Sequence, residues 1–126
     1  MNGQNRYSGG ETTGFQSPAQ DHIEQIIDLG DVLDLRRPSR YAVRVGGRGL
    51  SKRGIKAGDI LITDRAAPPS PGSIAIAFVQ GDVVLAQLLQ RGGHWFLIPD
   101  AGPCPIPVSD DAEIWGIVLS LVREEV

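Results

Sequence analysis

The stretch GSIAIAFVQGDVVLAQLL, at residues 72–89, decides the fold of this chain. Two runs rich in Ile, Val, Ala and Leu lie on either side of Gln80-Gly81-Asp82, and the β-branched residues among them favour strands. A short polar turn containing glycine between two such runs is typical of a tight hairpin. We therefore predict two strands here that pair antiparallel.

Similar strand patterns occur on both sides of this hairpin. From Tyr41 the apolar period is two, because Tyr41, Val43 and Val45 share one face of a strand and Ala42 and Arg44 the other. Other short apolar runs end in turn sequences such as PPSPG, RGG and PDAGP. These runs lie at residues 59–63, 94–98 and 113–122. We predict an all-β domain of several short, mostly antiparallel strands.

Length and composition limit the class of protein. With 126 residues the chain has room for one core and a tail. No apolar run approaches the roughly 20 residues that a membrane helix needs, and the first residues lack the apolar core of a secretory signal. We therefore expect a cytoplasmic protein. Its single cysteine and two distant histidines offer too few ligands for zinc, so we expect no metal and no cofactor.

The N-terminal third differs from the rest. Residues 1–13 are polar and glycine-rich, and we predict a flexible tail because they can bury little apolar surface. Residues 14–40 carry sparse apolar side chains among polar ones, which indicates an arm that packs on another surface. Within it, Asp28 is placed to cap a short helix with Leu29, Val32 and Leu33 on one side, and Pro38 would end that helix.

Positive charge is concentrated in one stretch of a chain whose net charge is −3. Eight of the 12 basic residues lie where there is no Asp or Glu: Arg36, Arg37, Arg40, Arg44, Arg48, Lys52, Arg53 and Lys56. Such a cluster could bind an acidic partner or nucleic acid. We favour a solvated strand face and loop, with Arg40, Arg44 and Arg48 towards water, because aromatic residues for base stacking are missing nearby in the sequence.

Several segments together resemble UmuD, the LexA-related accessory protein of error-prone polymerases. They cover nearly everything after Thr13: GFQSPAQDHIEQIIDL (14–29), YAVRVGGRGL (41–50), GIKAGDILITD (54–64), GSIAIAFVQGDVVLAQLL (72–89) and IWGIVLSLV (114–122). The first segment is particular to the UmuD branch. The resemblance implies that residues 41–126 form a LexA/UmuD C-terminal-like domain, the scaffold of the S24 peptidases, that the protein is a dimer, and that the arm crosses the body.

The same resemblance implies a self-cleaving peptidase with a Ser/Lys dyad. The family's serine lies in an SGDSM-like motif, and the corresponding GGRGL places Gly49 at that position. Its lysine lies in a VKRL-like strand, where VLAQL places Ala86. The dyad needs a hydroxyl that attacks and a neutral amine that takes its proton, and neither residue supplies one. We therefore expect no catalytic residues and predict a pseudo-peptidase.

The predicted function is a catalytically inactive accessory protein of the SOS response to DNA damage. It would bind a UmuC-like translesion polymerase, a recombinase filament, or both, as a homodimer or as a heterodimer with an active relative. The family's scissile bond corresponds to Thr13–Gly14, which we interpret as vestigial, although an active relative could cut it in trans. Two alternatives remain: self-cleavage through another nucleophile such as Ser51, and a relative that binds single-stranded DNA through the basic stretch.

Overall fold

The computed structural model describes residues 25–101 and 105–125. The chain divides into two units, Met1–Val32 and Leu33–Val126. The predicted tail, residues 1–13, lies outside the described residues, as do residues 14–24 of the predicted arm. In the first unit, Leu29–Val32 forms one turn of helix, α1, and the Gly30 N–H donates to Asp28 Oδ1 at 2.9 Å. The Asp28 cap is therefore confirmed.

The helix is shorter than the sequence predicts. Instead of continuing towards Pro38, it ends at Val32. Asp34 has a φ of 53°, which is the left-handed region, and a residue in that conformation cannot continue a right-handed helix. A polar turn follows, in which the Arg37 N–H donates to the Asp34 carbonyl.

The second unit is one open, seven-stranded antiparallel sheet, which confirms the all-β prediction. Its strand order is β1-β2-β7-β3-β4-β5-β6. The strands are β1 (Arg40–Arg44), β2 (Ile60–Asp64), β3 (Ile74–Val79), β4 (Asp82–Arg91), β5 (His94–Pro99), β6 (Ile106–Pro107) and β7 (Ala112–Val122). A short 3-10 helix, Ser51–Arg53, lies between β1 and β2.

The β3–β4 hairpin is the one predicted from the sequence. Val79 and Asp82 are paired, and the two residues between them have positive φ, 51° for Gln80 and 87° for Gly81. Two central residues with positive φ match the right-handed twist of the flanking strands. The glycine accepts this conformation without steric cost, so the turn fixes the register of both strands.

β4 contributes alternate side chains to two core clusters on opposite sides of the strand. Ala86 belongs to the first core cluster, which consists of Ala75, Ala77, Ala86, Leu88, Leu97, Ala112 and Ile117. Its neighbour Leu85 packs on the other side, against the second core cluster of Leu50, Ile55 and Leu61. Successive residues of a strand point to opposite faces. The second cluster places the loop between β1 and β2 beside the middle of β4.

Thr63 on β2 buries a hydroxyl group that lowers the stability of the core. Its side chain is fully buried, and its hydroxyl has no hydrogen-bond partner among the described residues. Replacing one buried, unsatisfied hydroxyl by a methyl group of similar shape removes a desolvation cost of about 1–3 kcal/mol. We therefore expect Thr63→Val to raise the melting temperature by several degrees, measured by thermal unfolding.

Thr63→Ser is the matched control for this substitution. It keeps the hydroxyl and removes the methyl group, so it should lower the melting temperature. If Thr63→Val were less stable than the parent protein, the hydroxyl would have to make a stabilising hydrogen bond.

Candidate functional site

A cleft of about 350 Å³ opens beside the loop that follows β1. It is lined by residues 43–49, by strand residues that include Leu61, Ile76 and Leu85, and by Pro99 and Asp100. Most of these strand side chains are aliphatic, and the charged groups come from Arg44, Arg48 and Asp100. We call this feature the cleft.

Gly49, which the sequence resemblance places at the family's nucleophile position, lines the cleft. Its φ is 78°, and a Cβ atom built on it would lie 2.4 Å from the Ile55 carbonyl oxygen. The carbonyl is held there because the Leu50 N–H donates to it at 3.0 Å while the Ile55 N–H donates to the Leu50 carbonyl. The preceding Gly46 and Gly47 have open space around them. A side chain at position 49 would therefore strain the backbone and force the loop to shift, whereas positions 46 and 47 have room for one.

Ala86, which the sequence resemblance places at the position of the family's general base, is fully buried in the first core cluster. It pairs with Ala75 of β3 on one side and Pro99 of β5 on the other, and it is not among the residues that line the cleft. The two lysines of the chain, Lys52 and Lys56, are exposed and do not line the cleft either. The described residues thus place no lysine amine in the cleft.

Ser51, the alternative nucleophile, begins the 3-10 helix and is exposed. Its hydroxyl lies 2.8 Å and 3.0 Å from the two carboxylate oxygens of Asp100, and its N–H donates to Oδ1 at 3.1 Å. Among the described residues, no histidine or lysine hydrogen-bonds to this hydroxyl. The contact fixes the turn to the end of β5. Asp100 was missed by sequence reasoning, because 49 positions separate it from Ser51.

Three residues of the basic stretch form ion pairs. Arg37 pairs with Asp34, Arg40 with Asp64 and Arg44 with Glu124, each at 2.8 Å. The Arg53 guanidinium donates to the Gly72 carbonyl. Within residues 25–101 and 105–125, no ion pair is formed by Arg36, Arg48, Lys52 or Lys56. Pairing of three of the eight cations weakens the electrostatic case for nucleic-acid binding.

The expectation that Arg40 faces water is wrong. Its side chain is only 15% exposed, and it donates to Asp64 and, at 2.6 Å, to the Leu33 carbonyl. The β1–β2 register places Arg40 directly opposite Asp64, so pairing the two charges is the way to bury either of them. This contact holds the turn at residues 33–39 against the sheet.

The expectation that aromatic residues are missing near the basic stretch is wrong, because Tyr41 lies within that stretch and Trp115 lies beside Tyr41. Trp95 is partly buried and packs against the first core cluster. The ring of Trp115 lies 5.4 Å from that of Tyr41, which belongs to the basic stretch, and the Arg65 guanidinium lies 5.0 Å from the Trp115 ring centre. An aromatic neighbour of the basic stretch therefore comes from β7, which local sequence could not reveal.

Two buried carboxylates flank β2 and are strongly stabilised as anions. Arg123 binds Asp59 with two contacts, Nε to Oδ1 at 2.7 Å and Nη2 to Oδ2 at 2.6 Å, and the Lys56 N–H donates to Oδ2 at 2.8 Å. These hydrogen bonds, that from Arg123 first, lower the pKa of Asp59 to about 2. The hydrogen bond from Arg40 and that from the Ala66 N–H lower the pKa of Asp64 to about 2.

Acid should therefore destabilise this protein through Asp59 and Asp64. Because both pKa values are lower in the folded state than in the unfolded chain, their contribution to stability is present above the unfolded pKa of about 4. It is lost as pH falls towards about 2. We expect the urea midpoint to fall steadily between about pH 5 and about pH 2. Asp59→Asn and Asp64→Asn should each flatten that slope, and an unchanged slope would contradict the assignment.

Metal and membrane motifs are not found in the part of the chain that the structure describes. Residues 25–101 and 105–125 contain no group of three or more His, Cys, Asp or Glu side chains that could hold a metal ion. No helix in these ranges is long and apolar enough to cross a membrane. The Thr13–Gly14 bond, which we interpreted from the sequence as a vestigial cleavage site, lies outside the described residues.

Comparisons with known proteins cover most of the chain. The family model described as Peptidase S24-like matches residues 7–119. Protein ImpA of Salmonella typhimurium is 35% identical over 100 residues, which are 79% of this chain and 63% of ImpA. Protein MucA of Escherichia coli is 34% identical over 121 residues, or 91% of this chain and 82% of MucA. The LexA repressor of Bordetella parapertussis is 29% identical over 110 residues, and the match spans 50% of its length.

Proposed function

We propose, from the premise that this chain belongs to the Peptidase S24-like family as a UmuD-like relative of LexA, that it is a catalytically inactive accessory protein. The observation that carries the proposal is Gly49. The position that supplies the family's hydroxyl lines the cleft without a side chain, in a backbone conformation that leaves no space for one.

The position of the base supports the same proposal. Burial is the environment that lowers the pKa of a lysine and prepares it as a base, and Ala86 keeps the burial without the amine. Loss of either member of a catalytic unit removes most of its rate. With both members replaced, the cleft can bind a peptide but has no dyad with which to cleave it.

The partners in the proposal follow from its UmuD-like relatives. We propose a homodimer, or a heterodimer with an active relative, that acts in the SOS response and binds a UmuC-like translesion polymerase, a recombinase filament, or both. The likeness to ImpA and MucA supports this assignment, and 63% of the length of ImpA is matched.

Co-elution with a polymerase tests the proposed function. The purified chain is mixed with the UmuC-like polymerase of the same host and separated by size exclusion with light scattering. We expect a complex that contains two copies of this chain at full length. A chain that elutes apart from the polymerase at micromolar concentrations would contradict the proposal.

One observation favours a second candidate, self-cleavage through Ser51. Its exposed hydroxyl donates to Asp100, a residue that lines the cleft, and a carboxylate is a possible though weak base. Ser51→Ala separates the two functions. If the parent protein loses its first residues on incubation with a recombinase filament and Ser51→Ala does not, the peptidase function is supported. If neither protein is cut, Ser51 is the structural residue that its contacts describe.

A further inference from the structure

Arg48 places a positive charge at the cleft where the family motif has a negative one. The family motif resembles SGDSM and carries an aspartate at this place, whereas GGRGL carries Arg48. Arg48 lines the cleft and is exposed. Arg44, on the same lining, pairs with Glu124, but Arg48 has no carboxylate within ion-pair distance in the described part of the chain. Among the described residues, the Arg48 guanidinium therefore has no ionic partner and is available to a ligand in the cleft.

The other residues that line the cleft indicate which class of ligand it could bind together with the Arg48 guanidinium. Val43, Val45, Leu61, Ile76 and Leu85 offer aliphatic surface for apolar side chains. The acidic group of the cleft, Asp100, has both carboxylate oxygens within hydrogen-bond distance of the Ser51 hydroxyl. A ligand that combines apolar side chains with a carboxylate would satisfy both the aliphatic surface and Arg48.

The chain itself contains a segment with this chemistry, residues 25–32, of sequence QIIDLGDV. Its apolar side chains are uncovered in the first unit: Ile26 is 65% exposed, Ile27 51%, Leu29 48% and Val32 60%. Asp28 and Asp31 supply carboxylates, and no Lys or Arg occurs between Arg6 and Arg36. A single helical turn is marginal by itself, so the segment can change conformation on binding.

We propose that the cleft binds, without cleaving it, the acidic and apolar segment at residues 25–32 of a second copy of this chain, and that Arg48 selects this segment through a carboxylate. The inference rests on the proposed function, because it treats the cleft as a binding site and not as a catalytic one. It adds the class of ligand and the residue that determines specificity.

Peptide binding to the full-length protein tests the proposal. The probe is a fluorescent, end-capped peptide QIIDLGDV, followed by anisotropy. We expect saturable binding, and at least about tenfold weaker binding when both aspartates are replaced by asparagine, because a charge-assisted contact is lost. Arg48→Asp should weaken binding of the acidic peptide by a similar factor. The Arg48→Asp variant should also bind a peptide that carries lysines in place of the aspartates, and should bind it more tightly than the parent protein does.

Arg36→Asp is the matched control, since Arg36 is exposed, does not line the cleft and forms no ion pair among the described residues. It should leave the affinity within about twofold, because Arg36 lies outside the lining of the cleft and its exposed charge is screened by salt. No saturable binding, or equal losses in Arg48→Asp and Arg36→Asp, would overturn the proposal. Either failure would leave the intact mass and the polymerase complex unchanged, so the proposed function would be judged separately.

Discussion

Gly49→Ser, which restores the residue type of the family's nucleophile, is expected to destabilise this protein. A residue with a side chain at a φ of 78° costs about 1–3 kcal/mol. The new Cβ would also lie 2.4 Å from the Ile55 carbonyl oxygen, which accepts a hydrogen bond from the Leu50 N–H. The loop must therefore open or shift. We expect the melting temperature to fall by roughly 4–8 °C for each kcal/mol lost.

Gly46→Ser is the matched control, in the same loop. A Cβ atom at Gly46 meets nothing within 4 Å, and its backbone is not in the left-handed region. Its melting temperature should stay within about a degree or two of the parent protein. If Gly49→Ser were as stable as Gly46→Ser, the loop would accept a side chain at position 49, and the backbone conformation would not need glycine there.

Ala86→Lys, which restores the residue type of the family's base, should destabilise the protein for a different reason. The position is fully buried among Ala75, Leu88 and Leu97. Inserting a longer side chain into a packed core costs about 1–3 kcal/mol, and a buried ammonium adds a desolvation cost. Burial would lower the pKa of the new lysine below its unfolded value of about 10.4. Between the lowered pKa of the folded state and the unfolded pKa, the folded protein binds fewer protons than the unfolded chain. Its stability therefore rises with pH in that range.

Ala86→Met separates volume from charge. Methionine has a similar length and no titratable group, so it should destabilise the core without adding a dependence on pH. The measurement is urea unfolding of both variants between about pH 6 and about pH 10. If Ala86→Lys and Ala86→Met followed the same curve, the lysine would reach solvent, and position 86 would not be the sealed core site described above.

Local pattern was sufficient to predict most of the sheet. The β3–β4 hairpin followed from Gln80-Gly81-Asp82 between apolar runs, since a two-residue turn fixes both strands. The cap at Asp28 followed from a short-range hydrogen bond. The proposed replacements at Gly49 and Ala86 rest on motif positions, which can be compared without coordinates. These features depend on neighbours in the sequence or on aligned motifs.

The contacts that shape the site depend on distant parts of the chain. Asp100 reaches Ser51 only because β5 ends beside the loop after β1. Arg44 meets Glu124, 80 positions away, and Arg40 meets Asp64 through the β1–β2 register. Charge counting along the sequence therefore overstated the bare positive charge of residues 36–56. Charge counting could not distinguish Arg48 from Arg40 and Arg44, because only the structure shows that those two form ion pairs.

The most direct test of the central claim, that this UmuD-like chain has lost self-cleavage, is the intact mass of the full-length protein. The purified protein is incubated alone with a recombinase filament on single-stranded DNA, and a relative that keeps the serine and the lysine is treated in a parallel tube. We expect a single species at 13.5 kDa for this chain, while the relative is cut. A fragment that begins at Gly14 in the tube with this chain alone would contradict it.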